Sequence, residues 1–211
     1  MTDLNLLKDA IAAGRLPEAK TLVGGALDAG VAPNDIVDNY LVKGMEEIGR
    51  KFEVGQAFVP NLLLSARAMK GCLDILTPLM GGGAAASLGT VVIGTVRGDL
   101  HDIGKNLVAS MLEGCGFKVI NLGNDVSAEK FVTAAKDNGA DLVCLSALLT
   151  TTMSYMKEIV DAFTAAGIRS KVKIMVGGAP VNAAFAQKIG ADGYSSNANE
   201  AVTLAKSLLA S

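Results

Sequence analysis

Asp99-Leu-His101-Asp-Ile-Gly104 holds the one histidine of a 211-residue chain, two residues from a carboxylate. It follows Gly89-Thr-Val-Val-Ile-Gly-Thr-Val96, a run that reads as a buried strand. An imidazole paired with a carboxylate at a strand end suggests a ligand site. On residue type alone a lone histidine is more often a packed or surface residue than a ligand; its place in the first strand-end loop beside Asp99 reverses that preference.

Other chemistries fit these residues poorly. Gly98-Asp-Leu-His-Asp-Ile-Gly104-Lys105-Asn106 sits between a strand and a helix as a phosphate loop would, but its glycines are one residue too far apart. Asn106 also stands where a Ser or Thr would ligate magnesium. No dinucleotide fingerprint follows the first strand, and Ser146 occupies the third strand end where a phospho-acceptor domain needs an aspartate. Zinc would need several converging ligands, whereas Cys72, Cys115 and Cys144 are distant from one another and lie in apolar surroundings, as reduced core residues do. His101 could be brought near Ser146 or Thr152 for serine hydrolysis, but no nucleophile-elbow sequence supports it.

The elements that must position these residues are strands alternating with helices. Strand-like runs at Thr90 to Val96, Lys118 to Leu122, Leu142 to Ser146, Lys173 to Val176 and a weak one near Tyr194 are separated by helical segments starting near Gly104, Ser127, Met153, Val181 and Asn199. Continuous apolar strands are what a parallel sheet covered on both faces requires. The expectation is an open, doubly wound, five-stranded parallel sheet in the order 2-1-3-4-5. Ligands of such sheets bind beyond the carboxyl ends of the strands. The loops there are Arg97 to Ile103, Gly123 to Val126, Ala147 to Thr152, Gly177 to Pro180 and Ser195 to Asn197. Four of the five are rich in Gly, Ser, Thr or Asn and nearly uncharged, which suits a large, mostly neutral ligand better than a polyanion.

Residues 1–80 have a different texture, with helical spacing and no strand-like alternation. Four helices are predicted: one from a Thr2 or Asp3 cap to Gly14, one from Pro17 to near Gly30, one from about Asn34 and one from about Pro60. The third carries Ile36, Val37, Tyr40, Leu41, Met45, Ile48 and Phe52 on an apolar stripe, and short connections imply an antiparallel bundle. The small residues of 81–89 read as a linker, giving a helical domain over 1–80 and a sheet domain over 90–211. A net charge of −2 without a basic cluster argues against nucleic acid and membrane surfaces as partners. No apolar run approaches the roughly 20 residues of a membrane span, and the start lacks a signal-peptide pattern, so a cytoplasmic location is expected.

With these residues in view, the chain closely resembles the corrinoid proteins of three-component methyltransferase systems, relatives of the cobalamin-binding module of methionine synthase. Asp99-x-His101-x-x-Gly104 matches that family's D-x-H-x-x-G, Ser146-Ala-Leu148 its S-x-L, and Gly177-Gly178 its G-G, in order on successive loops. Phe58-Val-Pro60-Asn-Leu-Leu-Leu-Ser-Ala66 resembles the part of the helical cap that covers the upper corrin face. The implied fold is therefore α/β, a four-helix cap followed by a flavodoxin-like cobalamin-binding sheet.

The resemblance implies a cobalamin or related corrinoid, in its methylcobalamin form, bound with its nucleotide base detached from cobalt and inserted into the sheet domain. His101 becomes the lower cobalt ligand. A carboxylate at its other ring nitrogen fixes the tautomer and raises ligand basicity. Asp99 is the match for that carboxylate, and Thr152 falls where the family, often with Ser, completes a hydrogen-bonded triad. Ser146 is implied to contact the detached base and Leu148 to line its slot. Side chains at Gly177 or Gly178 would take volume needed by the nucleotide tail, and Gly104 lets a helix start close to the cofactor. The cofactor-binding set expected in full is Gly98, Asp99, Leu100, His101, Asp102, Ile103, Gly104, Ser146, Leu148, Thr150, Thr152, Gly177 and Gly178.

The implied function is methyl carriage by a protein that is not catalytically complete alone. Cobalt(I) takes a methyl group from a donor activated by a substrate-specific corrinoid methyltransferase and passes it, as methylcobalt(III), to a second methyltransferase with a thiol or tetrahydropterin acceptor. A reductive activator completes the set of partners. Cobalamin-dependent mutases share D-x-H-x-x-G but usually lack the helical cap. Cobalamin-dependent light sensors have a cap but bring a Trp-plus-His signature, and this chain has no Trp and no second His. The resemblance places the choice of methyl donor, a methylamine, methanol, a methoxylated aromatic or a quaternary amine, in the partner enzyme.

Overall fold

The structure, a computed structural model, describes residues 4–80 and 87–210. The cap expected at Thr2 or Asp3 and most of the 81–89 segment lie outside the described residues. Contacts divide the chain into two compact units: Met1–Ser87 with Glu113–Gly116, and Leu88–Leu112 with Phe117–Ser211.

The first unit is helical. It comprises α1 (Asn5–Ala12), α2 (Leu16–Asp28), the short α3 (Pro33–Ile36), α4 (Val42–Glu53) and α5 (Val59–Leu76). Pro17 lies in the first turn of α2 and Pro60 in that of α5, where a missing N–H costs no helical bond. The Phe58 N–H donates to Asn61 Oδ1 at 2.9 Å, satisfying a donor at the start of α5. Leu7, Ile11, Val23, Ile36, Leu41, Leu62, Met69 and Leu76 are buried in this unit. Two close approaches tie α1 into it. Ser65 Oγ donates to the Ala12 carbonyl at 3.0 Å, and a Cβ on Gly44 would stand 2.6 Å from that of Ile11.

The predicted third helix is resolved into α3, a π-helical turn over Val37–Leu41, and α4. The buried side chains Ile36, Leu41, Met45 and Ile48 explain it. The first two are five residues apart, too far to share a face in an α-helix, whereas the i→i+5 turn of a π segment brings them into line.

The second unit is the sheet. Strands β1 (Thr90–Thr95), β2 (Lys118–Asn121), β3 (Leu142–Ser146), β4 (Lys173–Gly177) and β5 (Gly193–Ser195) form one parallel sheet in the order β2-β1-β3-β4-β5. The connecting helices are α6 (Ile103–Gly114), α7 (Ala128–Asn138), α8 (Tyr155–Ala165), α9 (Ala183–Ile189) and α10 (Ala198–Ala210). Val91 to Ile93, Leu142 to Leu145 and Ile174 to Val176 are buried, so the central strands are continuous apolar runs. Phe131 and Phe163 are fully buried in the same core. Helices α7 and α9 begin at Ser127 and Asn182, whose side chains accept from Lys130 N–H and Phe185 N–H, and end at Gly139 and Gly190. Helices α8 and α9 begin two residues after Met153 and Val181, because apolar spacing marks a buried face and not the turn or cap that precedes it.

Candidate functional site

Parallel register aligns the strand ends. Thr95 pairs with Ser146, Ser146 with Gly177, and Gly177 with Ser195. This row of small or hydroxyl residues crosses four strands at their carboxyl ends, where an open parallel sheet receives ligands.

Beyond β1 the chain turns through Gly98 at φ 79° and buries Asp99 completely. One Asp99 oxygen accepts from the His101 N–H at 3.0 Å and contacts His101 Nδ1 at 2.8 Å. The other accepts from the Leu148 N–H at 2.7 Å, the Leu149 N–H at 3.3 Å and Thr152 Oγ1 at 2.7 Å. Thr152 Oγ1 also lies 3.0 Å from the Leu149 carbonyl, but its single proton favours the shorter bond to a charged acceptor. Burial opposes ionisation of Asp99. The hydrogen bonds from Leu148, from Thr152 and from the backbone and ring of His101 outweigh it, holding the carboxyl well below the usual carboxylate range.

An ionised carboxylate only accepts, so Nδ1 carries the proton of this contact and a neutral ring keeps its free electron pair on Nε2. The His101 side chain is 52% exposed. Leu100 and Ile103 on the same loop are 69% and 88% exposed, and Leu148 and Leu149, both tied to Asp99, are also exposed. A nitrogen donor among uncovered aliphatic side chains suits a flat, largely apolar ligand with a metal at its centre, and the donor set thus fits a corrinoid. It fits a phosphate poorly. The Lys105 side chain is 1% exposed and donates to Asn121 Oδ1 at 2.7 Å, and Asn121 Nδ2 donates to Asn106 Oδ1 at 3.0 Å. Burial lowers the Lys105 pKa, with Asp102 opposing from 3.9 Å. The charge is committed inside the fold.

The structure brings Asp99, His101, Leu148 and Thr152 into one bonded group. Ser146 and Gly177 are neighbours in the strand-end row, Gly98 and Gly104 flank the histidine loop, and Thr150 is exposed in the turn after β3. Two glycines acquire separate reasons. A Cβ on Gly104 would meet nothing within 4 Å, so the fold leaves that space open. Gly178 has a φ of 126°, and a Cβ there would lie 1.9 Å from the Ala147 carbonyl oxygen. The protein's own backbone requires a glycine there, a reason that stands beside the expected room for a nucleotide tail.

Three supporting residues escaped the sequence reading. Thr95 Oγ1 donates to the His101 carbonyl at 3.0 Å, Asn124 Nδ2 to the Leu100 carbonyl at 3.2 Å, and Asp125 Oδ1 accepts from the Gly98 N–H at 2.7 Å. The available signal was Asn124-Asp125 itself, an Asx pair on a strand-end loop.

Comparison with known proteins is consistent with this geometry. The B12 binding domain model matches residues 89–203, and a second B12 binding domain model matches residues 4–77. The chain is 45% identical over 204 residues to dimethylamine corrinoid protein 1 of Methanosarcina acetivorans, covering 96% of this chain and 92% of that one. It is 46% identical over 186 residues to trimethylamine corrinoid protein 2 of Methanosarcina mazei, covering 87% and 85%. The crystal structure of the methanol:cobalamin methyltransferase complex MtaBC from Methanosarcina barkeri superposes with a TM-score of 0.79 at 33% identity, over 97% of this chain and 78% of that one.

Proposed function

The chain belongs to the B12-binding corrinoid proteins of methyltransferase systems, and on that premise we propose that it carries methyl groups between two methyltransferases, with His101 as the lower ligand of its corrinoid cobalt. The observation that carries the assignment is the His101 Nδ1 contact to fully buried Asp99 at 2.8 Å, which leaves Nε2 as the donor on a half-exposed ring. The bound corrinoid supplies the metal centre on which a one-carbon group is held. The chain's own residues bind and orient it. Asp99 fixes the tautomer and withdraws the Nδ1 proton toward itself, and the Thr152 hydroxyl holds the second carboxylate oxygen. Ser146, Leu148, Thr150, Gly177 and Gly178 line the path of the detached nucleotide base and its tail.

One partner delivers the methyl group from its substrate. The other receives it for a thiol or tetrahydropterin, and a reductive activator restores the cofactor. All three cysteines are buried, and burial pushes the Cys72 thiol up to about 11 and raises that of Cys144, which disfavours these two as reactive thiols; the acceptor is proposed to be supplied through the second methyltransferase. Among the donors compatible with the fold, the amine-linked relatives favour methylamines over methanol.

Reconstitution with cobalamin tests the reading. The wild-type chain is expected to show the absorption spectrum of base-off, histidine-ligated cobalamin, and His101→Ala to lose it. Failure of the wild-type chain to bind cobalamin would remove the proposal. Demethylation assays pairing the loaded chain with methylamine and with methanol methyltransferases then separate the donors.

A further inference from the structure

We infer that Asp125 is a positioning residue for His101, acting by clamping the peptide segment Gly98–Asp99 from the neighbouring loop. Its role toward cobalt rests on the methyl-carrier reading; the clamp itself does not.

Asp125 supplies an acceptor and a donor to consecutive residues. Its Oδ1 accepts from the Gly98 N–H at 2.7 Å, and its own N–H donates to the Asp99 carbonyl at 3.0 Å. Among the described residues it is the one non-glycine with positive φ, at 51°. Such a conformation is unfavourable for most side chains and tolerated by Asp, and it persists where surrounding bonds hold it. Here it is held from both sides, since the following Val126 N–H donates to the Thr95 carbonyl at 3.0 Å and Val126 bridges Val96.

The consequence reaches the imidazole. The Asp99 N–H donates to the Val96 carbonyl at 3.2 Å, the Leu100 carbonyl accepts from Asn124, the His101 N–H is held by Asp99, and the His101 carbonyl by Thr95. The backbone carrying the ring is therefore bonded within the protein, and the ring's own two torsions are held by its Nδ1 contact to Asp99. A histidine that engages and releases a metal can then return by side-chain rotation, without refolding its loop. Asp125 is the anchor in this set that reaches the Gly98–Asp99 peptide from another strand's loop.

The full-length chain decides the matter in two states. Gly98 is an exposed residue whose amide is bonded to Asp125, so in the chain without cofactor amide hydrogen exchange measured by NMR should find it protected. Exchange at the rate of a free peptide would overturn the clamp with no variant needed. Asp125→Gly keeps the backbone conformation at no steric cost and removes the carboxylate. It should speed Gly98 exchange roughly tenfold, while Asp125→Asn, which keeps the acceptor, should stay near wild type. With cobalamin bound and reduced to cobalt(II), electron paramagnetic resonance reads imidazole nitrogen coupling. The ratio of ligated to unligated cobalt should fall about tenfold in Asp125→Gly and recover in Asp125→Asn. Unchanged coupling in Asp125→Gly would overturn the positioning role. Loss in both variants would assign the effect to charge and overturn the clamp. A chain that binds no cobalamin fails the methyl-carrier reading and leaves the exchange result standing.

Discussion

Asp99 converts a common side chain into a specific donor because its carboxylate is buried and filled. Its two oxygens take His101 N–H, His101 Nδ1, Leu148 N–H, Leu149 N–H and the Thr152 hydroxyl. An amide cannot replace it. Asn at this position keeps one acceptor oxygen and turns an NH2 group toward donors, leaving buried N–H groups unmatched at a cost of about 2–3 kcal/mol. Urea unfolding of Asp99→Asn without cofactor should show that loss. The pH dependence has a fixed sign. The folded-state pKa of Asp99 lies below its unfolded value of about 3.9, so its contribution is complete above roughly pH 5 and is lost as acid protonates the folded carboxyl. Wild type should therefore lose stability on acidification below about pH 5 more steeply than Asp99→Asn. Parallel slopes in the two proteins would assign the acid response to other groups.

The elements carry the site through strand register and loop bonding, and these differ in how readable they are. Val91 to Ile93, Leu142 to Leu145 and Ile174 to Val176 announce central parallel strands because nothing polar interrupts them. Alternation with helices makes the sheet parallel but is shared by more than one doubly wound order, so the order β2-β1-β3-β4-β5 matches an expectation that the alternation alone does not fix. The π turn at Val37–Leu41 was not legible, since an apolar residue every few positions reads as one continuous stripe until burial shows which members share a face. Burial of Lys105 was not legible either, because a lysine is ordinarily exposed and its partner Asn121 is sixteen residues away. The bond from Thr152 to Asp99 spans fifty-three residues and was indicated only by the family resemblance. Two glycines in the same motifs separate fold from ligand. Gly178→Ala meets the Ala147 carbonyl at 1.9 Å with φ at 126°, and should cost about 3 kcal/mol or more in thermal or urea unfolding. Gly104→Ala meets open space within α6 and should stabilise the cofactor-free chain by about 0.5–1 kcal/mol. If α6 starts against the cofactor, the same substitution weakens cobalamin binding in a titration. Unchanged affinity would leave Gly104 without a ligand role.

For the molecule as a whole, two compact units each bury their own apolar residues, and no described helix is long and apolar enough to cross a membrane. The sheet unit leaves Leu100, Ile103 and Leu148 uncovered around a fixed imidazole. A ligand that binds the folded chain and not the unfolded one stabilises it through mass action. At a free cobalamin concentration one hundred times Kd the gain is about 2.7 kcal/mol, and each further tenfold adds about 1.4 kcal/mol. For a unit of this size that corresponds to a rise of roughly 5–15 °C in Tm. Thermal unfolding over a cobalamin series should thus show a midpoint climbing with the logarithm of concentration. Hydrogen exchange should slow most in the segments after β1, β3 and β4, where the strand-end row of Thr95, Ser146, Gly177 and Ser195 lies. A midpoint that rises while exchange slows elsewhere would place the ligand away from that row, and His101 would then lose its claim to the metal.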